Sequence, residues 1–171
     1  MLVNIQTLGY DFIQGPMGAW NFACFGATAG VLVISMRAKN STMRQTATGA
    51  LVAGLLGGIS EPSLYGIHLR FKRIYPRMLV GCFTGGLVIA VLGAPFGGVK
   101  TSAFAFTSLL TIPVFDPMWV YAIAIAAAFA VSMILVIIFD YRTPEQKDED
   151  RLAREQAEAD LALEKDAMPA A

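Results

Sequence analysis

The sequence is poor in charge, in carboxylates, in cysteine and in histidine, and each scarcity excludes something. Of its 171 residues 15% are charged and 56% are hydrophobic, against about 25% charged in an average soluble domain, so an ordinary soluble globular protein is excluded. Cys24 and Cys82 lie in apolar surroundings without C-x-x-C or Cys/His spacing, and His68 is the sole histidine. The cysteines therefore read as small apolar side chains inside membrane helices, and neither a metal site nor a cofactor is expected. No P-loop, G-x-G-x-x-G or G-x-S-x-G element is present, which leaves nucleotide and hydrolase chemistry without support. The basic residues form short clusters between apolar runs rather than one contiguous surface, so nucleic acid is not a partner. The N-terminus has no basic n-region or cleavage pattern and does not read as a signal peptide. Carboxylates are scarcest of all. Asp11, Glu61 and Asp116 are the only ones before residue 140, against eight Lys/Arg, whereas residues 140–171 hold ten acidic and five basic residues. The formal net charge of zero is thus a cationic part cancelled by an anionic tail.

Long apolar runs are what the chain does have. A helix crossing a bilayer needs about 20 mostly apolar residues, and 19–36, 78–95 and 119–139 meet that requirement. The last has no charge and opens on Trp119 and Tyr121, aromatic types enriched at the membrane interface. Residues 46–59 are apolar too, but too short to span, and they carry four glycines. Two basic clusters, Arg37/Lys39/Arg44 and Arg70/Lys72/Arg73/Arg77, flank that run. The positive-inside rule puts both clusters on the cytoplasmic side. The intervening segment must leave that side and return, which predicts a re-entrant hairpin with irregular backbone around 57–66. Such backbone is tolerated at membrane depth only where protein buries it or where it lines a watery cavity. The expected fold is an all-α integral membrane protein with about three transmembrane helices and one hairpin. Residues 1–140 form the membrane part. Residues 141–171 form an acidic, polar, partly helical cytoplasmic tail whose narrow apolar set is Leu152, Leu161 and Leu163. A coiled-coil partner segment is the other reading of that tail. The stretch 96–117 should lie outside or partly inserted, with Pro113 and Pro117 breaking its helical pattern.

Within the hairpin stands Gly57-Gly58-Ile59-Ser60-Glu61-Pro62-Ser63-Leu64-Tyr65-Gly66-Ile67. An ionised residue at the centre of a membrane helix costs about 2.5–3.5 kcal/mol on insertion scales, so a lone glutamate there marks a functional site. Pro62 removes a backbone donor, and the glycines allow tight turns and close approach. A carboxylate with Ser60, Ser63 and Tyr65 as neutral hydrogen-bonding neighbours suits a polyhydroxylated ligand, and it suits a cation almost as well. A third reading is a glutamate that caps a half-helix and pairs with a basic residue of the following loop.

The segment GGISEPSLYGIHLRFKR, residues 57–73, resembles the G-[IV]-[ST]-E-P-[AS]-[IL]-Y-G motif of the membrane-embedded IIC component of bacterial phosphotransferase-system sugar permeases. The likeness is greatest to the glucose-superfamily branch for β-glucosides, sucrose and trehalose. Residues 7–11, TLGYD, and the basic loop 36–44 resemble elements that precede the motif in that branch. The resemblance implies a multi-pass protein of the bacterial cytoplasmic membrane, with its C-terminus cytoplasmic, that moves a sugar inward coupled to phosphorylation. The phosphoryl group would come from phosphoenolpyruvate through IIA and a cysteine of IIB, neither of which this chain supplies.

Carried onto this chain, the resemblance makes Glu61 the sugar-binding carboxylate, with a possible part in deprotonating the attacking hydroxyl. Ser60, Tyr65 and the backbone of Gly58 and Gly66 would line the pocket, and Asp11 would fix local architecture. It further implies a homodimer in the full permease, a missing N-terminal IIC half, and a histidine partner for the glutamate on an earlier segment that these residues do not contain. His68, beside the basic loop, reads as an interfacial hydrogen-bonding residue rather than a substitute ligand. The competing functions are an ion-coupled transporter, with Glu61 binding a cation or relaying a proton, and an inactive remnant of a permease.

Overall fold

The computed structural model describes residues 1–148, 151, 152, 155 and 156. A short helix α1 (Leu2–Leu8) ends at Gly9 in a left-handed conformation. Asp11 then sets up the next element. Its side chain accepts from the Asn4 amide at 2.7 Å and from the backbone N–H groups of Ile13 and Gln14 at 3.2 and 3.0 Å. Its own backbone pairs in both directions with Thr101. One buried aspartate thus joins α1 and the residues that open the next helix through its carboxylate, and a distant loop through its backbone.

Helix α2 (Gln14–Arg37) is the central element, buried over most of its length. Small residues let its neighbours approach, as expected where helices pack in a membrane without a hydrophobic driving force between them. A Cβ on Gly26 would overlap the Phe129 carbonyl oxygen, and one on Gly30 would stand 2.9 Å from Val136. Those contacts lie on α6 (Met118–Phe139). Helix α5 (Ile74–Gly93), prolonged by a 3-10 turn to Phe96, uses Gly81 against Ser132 and Gly85 against Ala128 and Ala19. The pairings 18 with 121 and 30 with 136 make α2 and α6 parallel. Those of 81 with 132 and 85 with 124 make α5 antiparallel to both. Helices α2, α5 and α6 are the three long and apolar enough to cross a membrane among the described residues, and α5 and α6 turn most of their surface outward.

Two of these helices begin earlier than hydropathy alone predicts, at Gln14 rather than residue 19 and at Ile74 rather than residue 78. The polar groups that blur these boundaries find partners inside the protein, fully for Gln14 and through one nitrogen for Arg77. The Gln14 amide bonds the loop at Ala103 and Ala105, and Arg77 bends its guanidinium to the Phe139 carbonyl at 3.3 Å.

Between α2 and α5 lies the hairpin. Helix α3 (Ser41–Gly57) starts where the Asn40 side chain accepts the Met43 N–H at 3.0 Å and packs Gly54 against the Phe25 ring. It stops at Gly58, whose φ of 70° is left-handed. The return limb is shorter: α4 (Glu61–Ser63) runs into a π-helical turn, Leu64–His68, in which Leu69 N–H bonds the Leu64 carbonyl at 2.9 Å. Seventeen residues out make about 25 Å of helix at 1.5 Å per residue, and the eight-residue limb covers only part of the way back. The basic loops, the end of α6 and Tyr141 gather at one end, where Phe71 meets Tyr141 edge to face at 4.9 Å. There Asp140 bonds Arg142 and Lys147. Burial would raise its carboxyl, but these cations hold it down at about 2.

At the other end, β1 (Lys100–Thr101) pairs antiparallel with β2 (Phe115–Asp116), Leu109–Val114 forms a 3-10 turn, and Pro117 follows a cis bond. Residues 144–148 begin a polar helical stretch. The expectation for the rest of the tail, including Leu161 and Leu163, lies outside the described residues.

Candidate functional site

The hairpin tip faces a cavity of about 500 Å³ at the end of the molecule opposite the basic loops. Four parts of the chain line it, the first being Met1 at the N-terminus. The N-terminal half of α2 supplies Gln14, Met17, Trp20 and Asn21. The tip supplies Gly58, Ile59, Ser60 and Glu61, and the loop after β1 supplies residues 104–107. These walls are tied to one another. The Asn21 amide donates to the Thr107 hydroxyl and, at 3.5 Å, to the Gly58 carbonyl. Gln14 holds the loop from its other side. Gly58 is needed for two reasons: its positive φ, and a Cβ there would stand 3.1 Å from Thr107 N and 3.2 Å from Phe106 Cβ.

Glu61 is exposed at the head of the return limb and borders the cavity. Ion pairs join it to none of Arg70, Lys72 and Arg73 among the described residues, and Ser60 makes no side-chain cap bond. The reading of Glu61 as a cap paired with the following loop therefore finds no contact to rest on. Its carboxylate shares the cavity with two amides, two hydroxyls and the rings of Trp20, Phe104 and Phe106. Chemically, the carboxylate can accept several hydroxyl donors and the amides can both donate and accept. The aromatic faces can cover apolar C–H surface.

Of the residues singled out in the sequence, Glu61, Ser60 and Gly58 border the cavity. Tyr65 and Gly66 do not. Tyr65 is 67% exposed on the outer face of the π turn, because the widened turn directs Ser63, Ile67 and His68 inward instead. Gly66 has open space where a Cβ would be. His68 departs from its expected interfacial place. It is fully buried, with Nε2 3.0 Å from the Thr28 hydroxyl halfway along α2, and it lies outside the cavity lining. Sequence reasoning misses Gln14, Trp20, Asn21 and Thr107. Gln14 and Asn21 carry a usable signal, as uncharged polar side chains in a membrane helix that must find partners.

A second cavity, about 340 Å³, lies at the basic end between Asn40, Met43, Arg70, Phe71, Tyr141 and Arg142. It holds no group from the glutamate motif. No cluster of three or more metal-ligating side chains occurs among the described residues.

Comparison with known proteins supports the motif assignment. Residues 2–86 match the family model described as Phosphotransferase system, EIIC. The chain is similar to a PTS system glucose-specific EIIBCA component of Corynebacterium glutamicum, with 56% identity over 158 residues, 92% of this chain and 23% of that protein. It is similar to a mannose-specific EIIBCA component of the same species at 59% over 129 residues, 75% of this chain and 18% of that one. An arbutin-, cellobiose- and salicin-specific EIIBC component of Escherichia coli is 33% identical over 117 residues, 64% of this chain and 23% of that protein. The chain spans less than a quarter of the length of these curated relatives. No solved structure matches it.

Proposed function

We propose, since the chain is a membrane domain of the phosphotransferase-system EIIC family, that it carries the sugar-binding part of a permease that phosphorylates its substrate during transport. The observation that carries this reading is the exposed Glu61 carboxylate at the hairpin tip, bordering a cavity walled by amides, hydroxyls and aromatic rings. In this reading Glu61 orients sugar hydroxyls and assists loss of the proton from the one that attacks phosphorus. Ser60, Asn21, Gln14 and the backbone around Gly58 complete the polar contacts, and the rings cover the sugar's apolar face. The chain itself is the non-catalytic membrane component. The phosphoryl group arrives on IIB, charged through IIA, and the remainder of the IIC domain completes the translocation path and a homodimer. Residues 1–140 form the membrane part and 141–171 the tail, with the basic end and the C-terminus in the bacterial cytoplasm.

For the sugar, a free hexose is favoured over a β-glucoside. The similarity to glucose- and mannose-specific proteins is 56% and 59%, against 33% and 31% for two that take β-glucosides. An ion-coupled carrier would draw on the same carboxylate, but a single acid among amides and rings supplies little of the oxygen cage that a hard cation requires.

The decisive measurement is sugar binding and phosphorylation by the assembled permease carrying Glu61→Gln. Hydrogen bonds to a charged group contribute roughly 1.5–3 kcal/mol, so affinity should fall by about tenfold to a hundredfold, with membrane insertion unchanged. Glucose affinity equal to that of the unaltered protein overturns the assignment of Glu61, and binding that depends on sodium or proton gradients instead supports the ion-coupled reading.

A further inference from the structure

The return limb of the hairpin has a buried face that the cavity does not use. Along Glu61–His68 the exposed residues are Glu61, Pro62, Tyr65 and Gly66, while Ser63, Ile67 and His68 are buried. In a regular α-helix residue 68 would be carried round the axis away from residue 63. The π turn instead bonds residues five apart, as Leu69 to Leu64, and so sets Ser63 and His68 one turn apart on the same side. Such turns are rare and occur often at functional sites.

The tautomer of His68 follows from where the Thr28 hydroxyl proton is placed. Thr28 Oγ1 lies 3.0 Å from the Cys24 carbonyl oxygen and 3.0 Å from His68 Nε2. A threonine hydroxyl has one proton, and a carbonyl oxygen can only accept. With the Thr28 proton donated to the Cys24 carbonyl, the hydroxyl oxygen is left to accept from His68 Nε2–H. In the neutral ring Nδ1 is then a bare acceptor. Among the described residues it has no partner, and neither has the Ser63 hydroxyl one turn back, though both are fully buried.

We propose that His68 is the positioning residue of the hairpin. As the Nε2–H tautomer it latches the π turn to Thr28 of α2, and thereby holds the limb that begins at Glu61 at its depth beside the cavity. The latch stands on the hairpin geometry, and only its effect on sugar affinity rests on the reading of Glu61 as the sugar ligand.

His68 is the only histidine in the chain, so selective imidazole 15N labelling of the full chain in phospholipid nanodiscs reports on this group alone. The expected spectrum has the proton on Nε2 and Nδ1 bare. Thr28→Val removes the acceptor at nearly constant shape, and His68→Leu removes the donor. His68→Gln places an N–H near the Nε2 position. Losing one hydrogen bond should speed amide exchange over residues 64–69 by about tenfold in Thr28→Val and His68→Leu, with recovery in His68→Gln. In the assembled permease, glucose affinity should fall several-fold and recover in the same order.

A proton on Nδ1 with Nε2 bare, or unchanged exchange in Thr28→Val, overturns the latch. Altered exchange with glucose affinity unchanged in the same variants, while Glu61→Gln still loses it, overturns the positioning role and leaves the Glu61 reading intact. Unchanged affinity in Glu61→Gln removes that reading, and the tautomer and exchange results then decide the latch by themselves.

Discussion

At the residue scale the site depends on a few side chains whose roles differ in kind. Glu61 is legible in the sequence because a carboxylate is costly in an apolar run and this chain has only three before its tail. Gly58 is a different case, since its value lies in what it leaves empty. With φ at 70° and the loop backbone 3.1 Å from a would-be Cβ, Gly58→Ala must either strain the turn or push residues 106 and 107 away. A cost of about 1 kcal/mol or more is expected from the backbone alone. Because Asn21 joins Gly58 to Thr107, the displacement should also weaken sugar binding. Thermal unfolding in detergent together with glucose titration checks both, and a variant as stable and as tight as the parent would refute the close-approach argument. A Gly-Gly pair before a glutamate announces a turn, but nothing in the string 104–107 says which turn it will face. Asn21 and Thr107 are 86 positions apart, and that pairing is a property of the fold. For the same reason Tyr65, adjacent in sequence to the motif residues, falls on the wrong side of a π turn that sequence periodicity does not reveal.

At the element scale the hydropathy pattern marks α2, α5, α6 and the hairpin, because length and lack of charge are local properties. It does not say that α2 is the element around which the others pack. Ranked by apolarity, α6 would be the natural centre, yet α6 faces outward and the less apolar α2 is buried. The difference lies in side-chain size. Gly18, Gly26 and Gly30 let α6 approach α2 closely, whereas leucine and isoleucine serve a lipid-facing surface. Gly26→Val would drive a side chain into the Phe129 carbonyl, which the Cβ alone would already overlap. Overpacking of this kind costs about 1–3 kcal/mol. Gly86→Ala on α5 meets nothing within 4 Å and serves as the control. Unfolding of purified protein in mixed micelles should show Gly26→Val clearly destabilised and Gly86→Ala nearly unchanged, and equal effects would show that helix propensity, not contact, dominates.

At the scale of the whole molecule the informative quantity is where charge lies. Arg37, Lys39, Arg44, Arg70, Lys72, Arg73 and Arg77 come from two separate basic stretches of the sequence, and the fold brings both to the end where α6 stops. Arg77 reaches the Phe139 carbonyl there, and Phe71 packs on Tyr141. A chain that crossed the bilayer twice between residues 44 and 70 would need about 40 apolar residues, and far fewer are available. The out-and-back hairpin resolves that shortage, with its short return limb ending at His68 at the level of Thr28 rather than at the surface. Single cysteines at Lys39 and Lys72, in a background with Cys24 and Cys82 replaced by alanine, therefore test the topology in whole cells. Both should react with a membrane-impermeant maleimide only after the membrane is opened. A cysteine at Ser102, in the loop at the far end, should react in intact cells. Labelling of positions 39 and 72 from opposite faces would mean one crossing between them with no return, and would overturn the hairpin.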